Sequence, residues 1–118
     1  MIMKATAAVN ALGALAHEHR LAVFRLLVEA GAEGLSAGTI AEKLGLVPSS
    51  LTFHTQALQR AGLIGFRRVS RQVFFAADFE SMNALVGYLT ENCCGGGQAC
   101  GPVCLPATVK PARARRRA

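Results

Sequence analysis

All four cysteines of this 118-residue chain fall between Cys93 and Cys104: Cys93, Cys94, Cys100 and Cys104. A disulfide framework would spread its cysteines along the chain to staple it. Clustered thiols in a chain with no evident export signal point instead to reduced sulfur, and to metal or redox chemistry. Thiolates are soft ligands that select soft ions. Trivalent arsenic and antimony are soft and keep a lone pair, so they take three sulfurs in a pyramid. The glycines Gly95, Gly96 and Gly97 let the chain fold back and bring Cys100 toward the adjacent pair. Cys93, Cys94 and Cys100 are therefore the expected As(III) or Sb(III) triad, with Cys104 a spare or a substitute. Zinc competes, because it takes four ligands and four thiols are present; yet structural zinc sites pair cysteines two to four residues apart, which only Cys100 and Cys104 approach. Another divalent soft metal, an oxidant acting on the same thiols and a plain disulfide all stay open on spacing alone. No organic cofactor is expected.

A second set of residues could read nucleic acid. Ser49, Thr52, Phe53, Gln56 and Arg60 recur at helical spacing on one face, opposite a stripe of Leu51, His54, Leu58 and Ala61. Serine and threonine hydroxyls at Ser49, Ser50 and Thr52 can contact phosphates or base edges. Gln56 can bind adenine with two hydrogen bonds. Phe53 falls on the wet face, where its ring could touch a thymine methyl. Downstream, Arg67, Arg68 and Arg71 sit in and around a short break between two runs of β-formers, suited to phosphate or to the minor groove. His54 reads as a core histidine, and His17 and His19 as helix-start residues.

These residues need elements to hold them. Met1 to Ala16 is apolar but interrupted by Asn10 and Gly13, so it reads as a first helix with Val9, Leu12 and Leu15 on one stripe rather than as an export signal. A second helix is expected from Glu18 to Ala30, with Leu21, Phe24 and Val28 setting its period and Gly31 stopping it. A turn follows over Ala32 to Leu35. Ser36 caps a short helix that buries Ala37, Ile40, Ala41 and Leu44 and ends at Gly45. Pro48 opens the next helix, which Gly62 ends. Helix, short turn, helix with a polar face is the helix-turn-helix pattern. The period then changes to two: Ile64 and Phe66, then Val73 and Phe75, describe a β-hairpin with a basic tip, a wing. Asp78 caps a last helix carrying Phe79, Met82, Leu85, Val86 and Leu89, ending near Asn92.

The fold class expected is mainly α with a small β-hairpin: a winged helix-turn-helix of order ααααββα, homodimeric through its first and last helices. Three segments follow: a DNA-binding and dimerisation domain over 1–92, a Cys-rich metalloid-binding segment over 93–104 and a disordered basic tail over 105–118. The net charge of +6 rests largely on that tail, where Lys110, Arg113, Arg115, Arg116 and Arg117 hold five of the thirteen basic residues. No run of about 18 apolar residues is present to span a membrane. An enzyme is not expected, since there is no redox CxxC pair, cofactor fingerprint or nucleophile with an ordered base.

The ordered set of motifs resembles a known family. Leu15-Ala16-His17-Glu18-His19-Arg20-Leu21 is similar to the "LA(D/H)PxRL" opening of the arsenic-repressor (ArsR/SmtB) winged-helix family. Ala41-Glu42-Lys43-Leu44-Gly45-Leu46, then Ser49-Ser50-Leu51-Thr52-Phe53-His54, then Leu58-Gln59-Arg60-Ala61-Gly62-Leu63-Ile64 resemble its "LGxxxSxxSxHLxxLxxAGL" core. Arg67-Arg68 through Phe74-Phe75 looks like its wing. The resemblance spans about Ala11 to Leu89. It implies a cytoplasmic, dimeric repressor that binds operator double-stranded DNA and is released by a metal or metalloid. Some members carry a thiol cluster at the end of the last helix, which agrees with the cysteines here. Two departures stand out. Ser36 and Gly38 occupy positions where the family often places two thiols, so an inducer must be sensed elsewhere. Val47 and Phe53 replace a family Ser and His beside and within the reading helix, which leaves the operator sequence open.

Overall fold

Three of the helices begin where a side chain satisfies the backbone. The Ser36 hydroxyl accepts from the Thr39 N–H at 3.2 Å, the Asp78 carboxylate from the Ser81 N–H at 3.0 Å, and the Nδ1 of His17 from the His19 N–H at 3.1 Å. Side-chain caps of this kind contribute about 1 kcal/mol each. Gly45 closes the third helix in the left-handed region, at φ 67°. In the computed structural model, which describes residues 3–96, the elements are α1 (Ala5–Leu15), α2 (Glu18–Ala30), β1 (Leu35–Ser36), α3 (Ala37–Leu44), α4 (Pro48–Arg60), β2 (Ile64–Val69), β3 (Gln72–Ala77) and α5 (Phe79–Thr90). The bounds of α2, α4 and the wing follow the sequence pattern closely.

One strand was not expected. Leu35–Ser36 pairs antiparallel with β3, Leu35 opposite Phe75 and Ser36 opposite Phe74, so the wing is a three-stranded sheet of order β1-β3-β2. Two residues carry no readable period, which is why the segment reads as a turn from sequence. The pairing depends on Gly34: it has φ 74°, and a Cβ there would run into the Phe75 carbonyl. The β2–β3 hairpin pairs Ile64 with Ala77 through Val69 with Gln72, leaving Ser70 and Arg71 as its two-residue tip.

Val23, Leu27, Ile40, Leu58 and Leu63 form the fully buried centre, drawn from α2, α3, α4 and the approach to the wing. Burying each large apolar side chain favours the fold by about 1.5–3 kcal/mol. Around them α1 packs through its smallest residues. Its buried residues are Ala8, Ala11 and Ala14, while Val9 is 66% and Leu12 42% exposed. Small alanines let α1 lie close to the body, so Val9 and Leu12 point away from it while Leu15 packs at the edge of the core. In α5 only Leu85 is buried; Val86 and Leu89 are exposed. Leu21 of α2 is exposed as well. The first and last helices thus leave an apolar surface that the monomer does not cover. Among the described residues no helix is long and apolar enough to cross a membrane.

Candidate nucleic-acid interface

Pro48 starts α4 with its fixed φ, and Val47 precedes it in extended form without a side-chain cap. Leu51, His54, Thr55, Ala57 and Leu58 bury one side of the helix. That orientation leaves Ser49, Thr52 and Gln56 exposed, with Ser50 half-buried. The Thr52 hydroxyl donates to the Pro48 carbonyl at 3.0 Å, so it presents lone pairs rather than a hydrogen to a ligand.

Between α4 and the sheet runs an open groove of about 750 Å³. Thr52, Gln56 and Arg60 line its helix side; Phe66 and Arg68 line its sheet side. Residues paired across β2 and β3 share a face, and neighbours along a strand alternate. Phe66 and Arg68 therefore face the groove together with Val73 and Phe75. Phe66 is 56% exposed although Phe75 opposite it is buried, so this wing face passes from core to solvent at the groove. Arg67 is on the opposite face. Its Nη1 donates to the Glu33 carbonyl at 3.0 Å, and its guanidinium stands 4.9 Å from the centre of the Phe74 ring. Arg71 occupies the hairpin tip and is exposed. The three arginines singled out in the sequence are thus divided among groove, back face and tip.

Phe53 is 58% exposed and does not line the groove. Its ring lies 5.3 Å from the Arg20 guanidinium and 5.5 Å from the His54 ring. Arg20 reaches α4 from the start of α2, where its Nε also donates to Nδ1 of His54 at 3.2 Å. His17 and His19 complete the group, their rings 4.7 Å and 5.6 Å from that of His54. Burial lowers the His54 pKa below 6.5, helped by His17, Arg20 and His19. Sequence reasoning read His54 as a core residue but not its link to Arg20, because the two are 34 positions apart and no local pattern joins them.

Past α5 the backbone turns through positive φ at Asn92, Cys94 and Gly95. The Sγ atoms of Cys93 and Cys94 are 3.6 Å apart, and Cys93 is disulfide-bonded. Cys100, Cys104 and the basic tail lie outside the described residues. Among those described, no group of three or more His, Cys, Asp or Glu side chains is arranged to hold a metal ion.

Residues 15–64 match a helix-turn-helix domain family. The transcriptional activator HlyU of Vibrio cholerae is 31% identical over 91 residues, which span 77% of this chain and 82% of HlyU. The chain belongs to the ArsR family of winged-helix transcriptional regulators. The solved structure of V. cholerae HlyU superposes with a TM-score of 0.63 at 30% identity, covering 80% of this regulator and 99% of that chain. An ArsR-like transcriptional regulator from Rhodococcus sp. RHA1 superposes at 0.60 with 26% identity, over 71% and 76% of the two chains. An uncharacterised HTH-type regulator of Bacillus subtilis, YceK, is 41% identical over 58 residues, and the regulator spans 57% of its length. These relatives are transcriptional regulators by name, not enzymes. The regulator accordingly binds DNA, and α4 with its wing is the element pair that the fold offers for that purpose.

Proposed function

We infer that this regulator binds operator double-stranded DNA as a cytoplasmic homodimer and represses transcription until trivalent arsenic or antimony binds its thiols. The observation that carries the DNA reading is the shared groove face. Thr52 and Gln56 of α4 and Arg68 of the wing border one concave surface, with Ser49 at the mouth of α4 and Arg71 at the tip. In this reading α4 enters the major groove, where Ser49, Ser50, Thr52 and Gln56 meet phosphates and base edges. Arg68 and Arg71 meet the backbone or the minor groove. Phe53 reaches a thymine methyl at the edge of that footprint.

Homodimerisation is supported by the exposed Val9 and Leu12 of α1 and Val86 and Leu89 of α5. Two copies joined there would cover apolar surface and present two reading heads to two half-sites.

The sensing reading rests on the adjacent cysteines that follow α5, taken in their reduced form. Cys93 and Cys94, 3.6 Å apart, stand directly after a helix assigned to the dimer seam. Drawing Cys100, or Cys104 in its place, onto them around one As(III) would re-angle the end of α5 and change the spacing of the heads. The ligand drives release only by preferring that non-binding state. A second reading, release by oxidation of the same thiols, is favoured by the disulfide at Cys93.

Fluorescence anisotropy of the reduced protein on its promoter DNA, titrated separately with arsenite, zinc and a mild oxidant, tests both. Release by arsenite that Cys93→Ser or Cys100→Ser abolishes supports the metalloid sensor. Release by oxidant or zinc alone rejects it and keeps the regulator. A promoter reporter reads the sign of regulation, which matters because the related HlyU is named an activator.

A further inference from the structure

Two consecutive residues of α4 are held by one side chain of α2. Arg20 donates from Nε to His54 Nδ1 at 3.2 Å and lies 5.3 Å from the centre of the Phe53 ring. Arginine has no lone pair to offer, so the hydrogen bond exists only while His54 Nδ1 is unprotonated. The neutral ring then carries its proton on Nε2. A second proton must go to Nδ1, where it meets an N–H donor on a permanent cation.

We propose that Arg20 is a positioning residue for the recognition helix, clamped there by neutral His54, and that one proton on His54 opens the clamp and weakens DNA binding. This rests on the reading of α4 as the DNA-reading helix.

The surroundings leave an imidazolium without support. His54 is 6% exposed. The groups that act on it are His17, His19 and Arg20, all from the start of α2. α1 contributes no charged residue over Ala5–Leu15. Arg60 of α4 itself shares a small cavity with Arg20, and no acidic residue lines that cavity. No Asp or Glu from α3 or β2 figures among the groups that shift His54. Among the described residues, the groups that act on His54 include no acid that would support an imidazolium.

The sign follows. A histidine whose folded pKa lies below its unfolded value of 6.5 stabilises the fold fully above 6.5, and that contribution is lost as pH falls through the folded value. Acidification therefore loosens α4.

A metal ion is the competing use of three clustered imidazoles. Two of the three rings argue against it. His54 Nδ1 accepts from Arg20 and His17 Nδ1 accepts from the His19 N–H, so both neutral rings carry hydrogen on Nε2. The group is also not arranged as a metal site.

The test uses the full-length reduced protein between pH 8 and pH 5. Operator affinity should hold above 6.5 and fall below it, by at most about tenfold per pH unit for a single proton. In His54→Asn, whose Oδ1 takes the place of Nδ1 and accepts from Arg20 at every pH, the fall should vanish. Arg20→Ala should bind at pH 8 as weakly as the wild type does in acid. Identical pH profiles for the wild type and His54→Asn, or affinity that only rises in acid, overturn the proposal. Long-range 1H–15N spectra of the wild type without DNA give the second readout. An unprotonated Nδ1 that gains its proton together with a shift of the Phe53 ring supports the clamp; a protonated Nδ1 at pH 8, or no coupled shift, refutes it. If no pH gives DNA binding, the reading of α4 fails while these spectra still decide the clamp.

Discussion

Arg67 and Arg68 are consecutive in the chain and face opposite sides of the wing. Arg68 borders the groove beside α4, whereas Arg67 is tied to the Glu33 carbonyl and stacked on Phe74. Strand alternation makes the division, and it predicts different phenotypes. Arg68→Ala should weaken binding to all DNA sequences and lower the slope of log K against log salt by roughly 0.9, the value for one phosphate contact. Arg67→Ala should leave that slope unchanged and cost about 1 kcal/mol of stability, from one hydrogen bond and one exposed cation–π contact. Anisotropy at several salt concentrations and urea unfolding separate the two.

Gly34 holds β1 against β3. At φ 74°, with the Phe75 carbonyl where a Cβ would sit, no other residue fits. Gly34→Ala should destabilise the protein by about 2 kcal/mol or more, since a strained positive φ alone costs about 1–3 kcal/mol and the clash adds to it. Urea midpoints measure the loss. A change within about 0.5 kcal/mol, the usual range for an indifferent surface site, would show that β1 does not need this approach.

The apolar residues left outside by α1 and α5 carry the dimer prediction. Leu12→Glu with Leu89→Glu should yield a monomer in analytical ultracentrifugation and reduce operator affinity, because one protomer meets one half-site only. Both side chains are already exposed, so monomer folding should be little affected. A double variant that sediments with the wild type would move the dimer seam elsewhere.

Much of the architecture was legible because its signals are local. A capping side chain lies within three residues of the N–H it satisfies, as Ser36 does for Thr39 and Asp78 for Ser81. The 3.6-residue period of α2 and α4 and the two-residue period of β2 and β3 are likewise contained in short windows. These signals, with the ordered motifs from Leu15 to Ile64, were enough for the winged helix-turn-helix and for the polar face of α4. They did not say which residues of α1 the monomer itself buries, since leucine and alanine stripes run along the same helix. Which stripe is buried depends on how closely α1 approaches the body, and alanine permits the closer approach.

The amino-acid sequence by itself determined the five helices, the hairpin, their order and the polar face of α4. Tertiary structure decided what contacts join residues far apart: the pairing of β1 with β3, the division of Arg67 from Arg68 relative to α4, and the meeting of Arg20 with Phe53 and His54. The physical reason is range. Caps and periodicities are set by the bonds of a few consecutive residues, whereas these contacts exist only once packing of the apolar core has fixed how the helices and the sheet lie against one another.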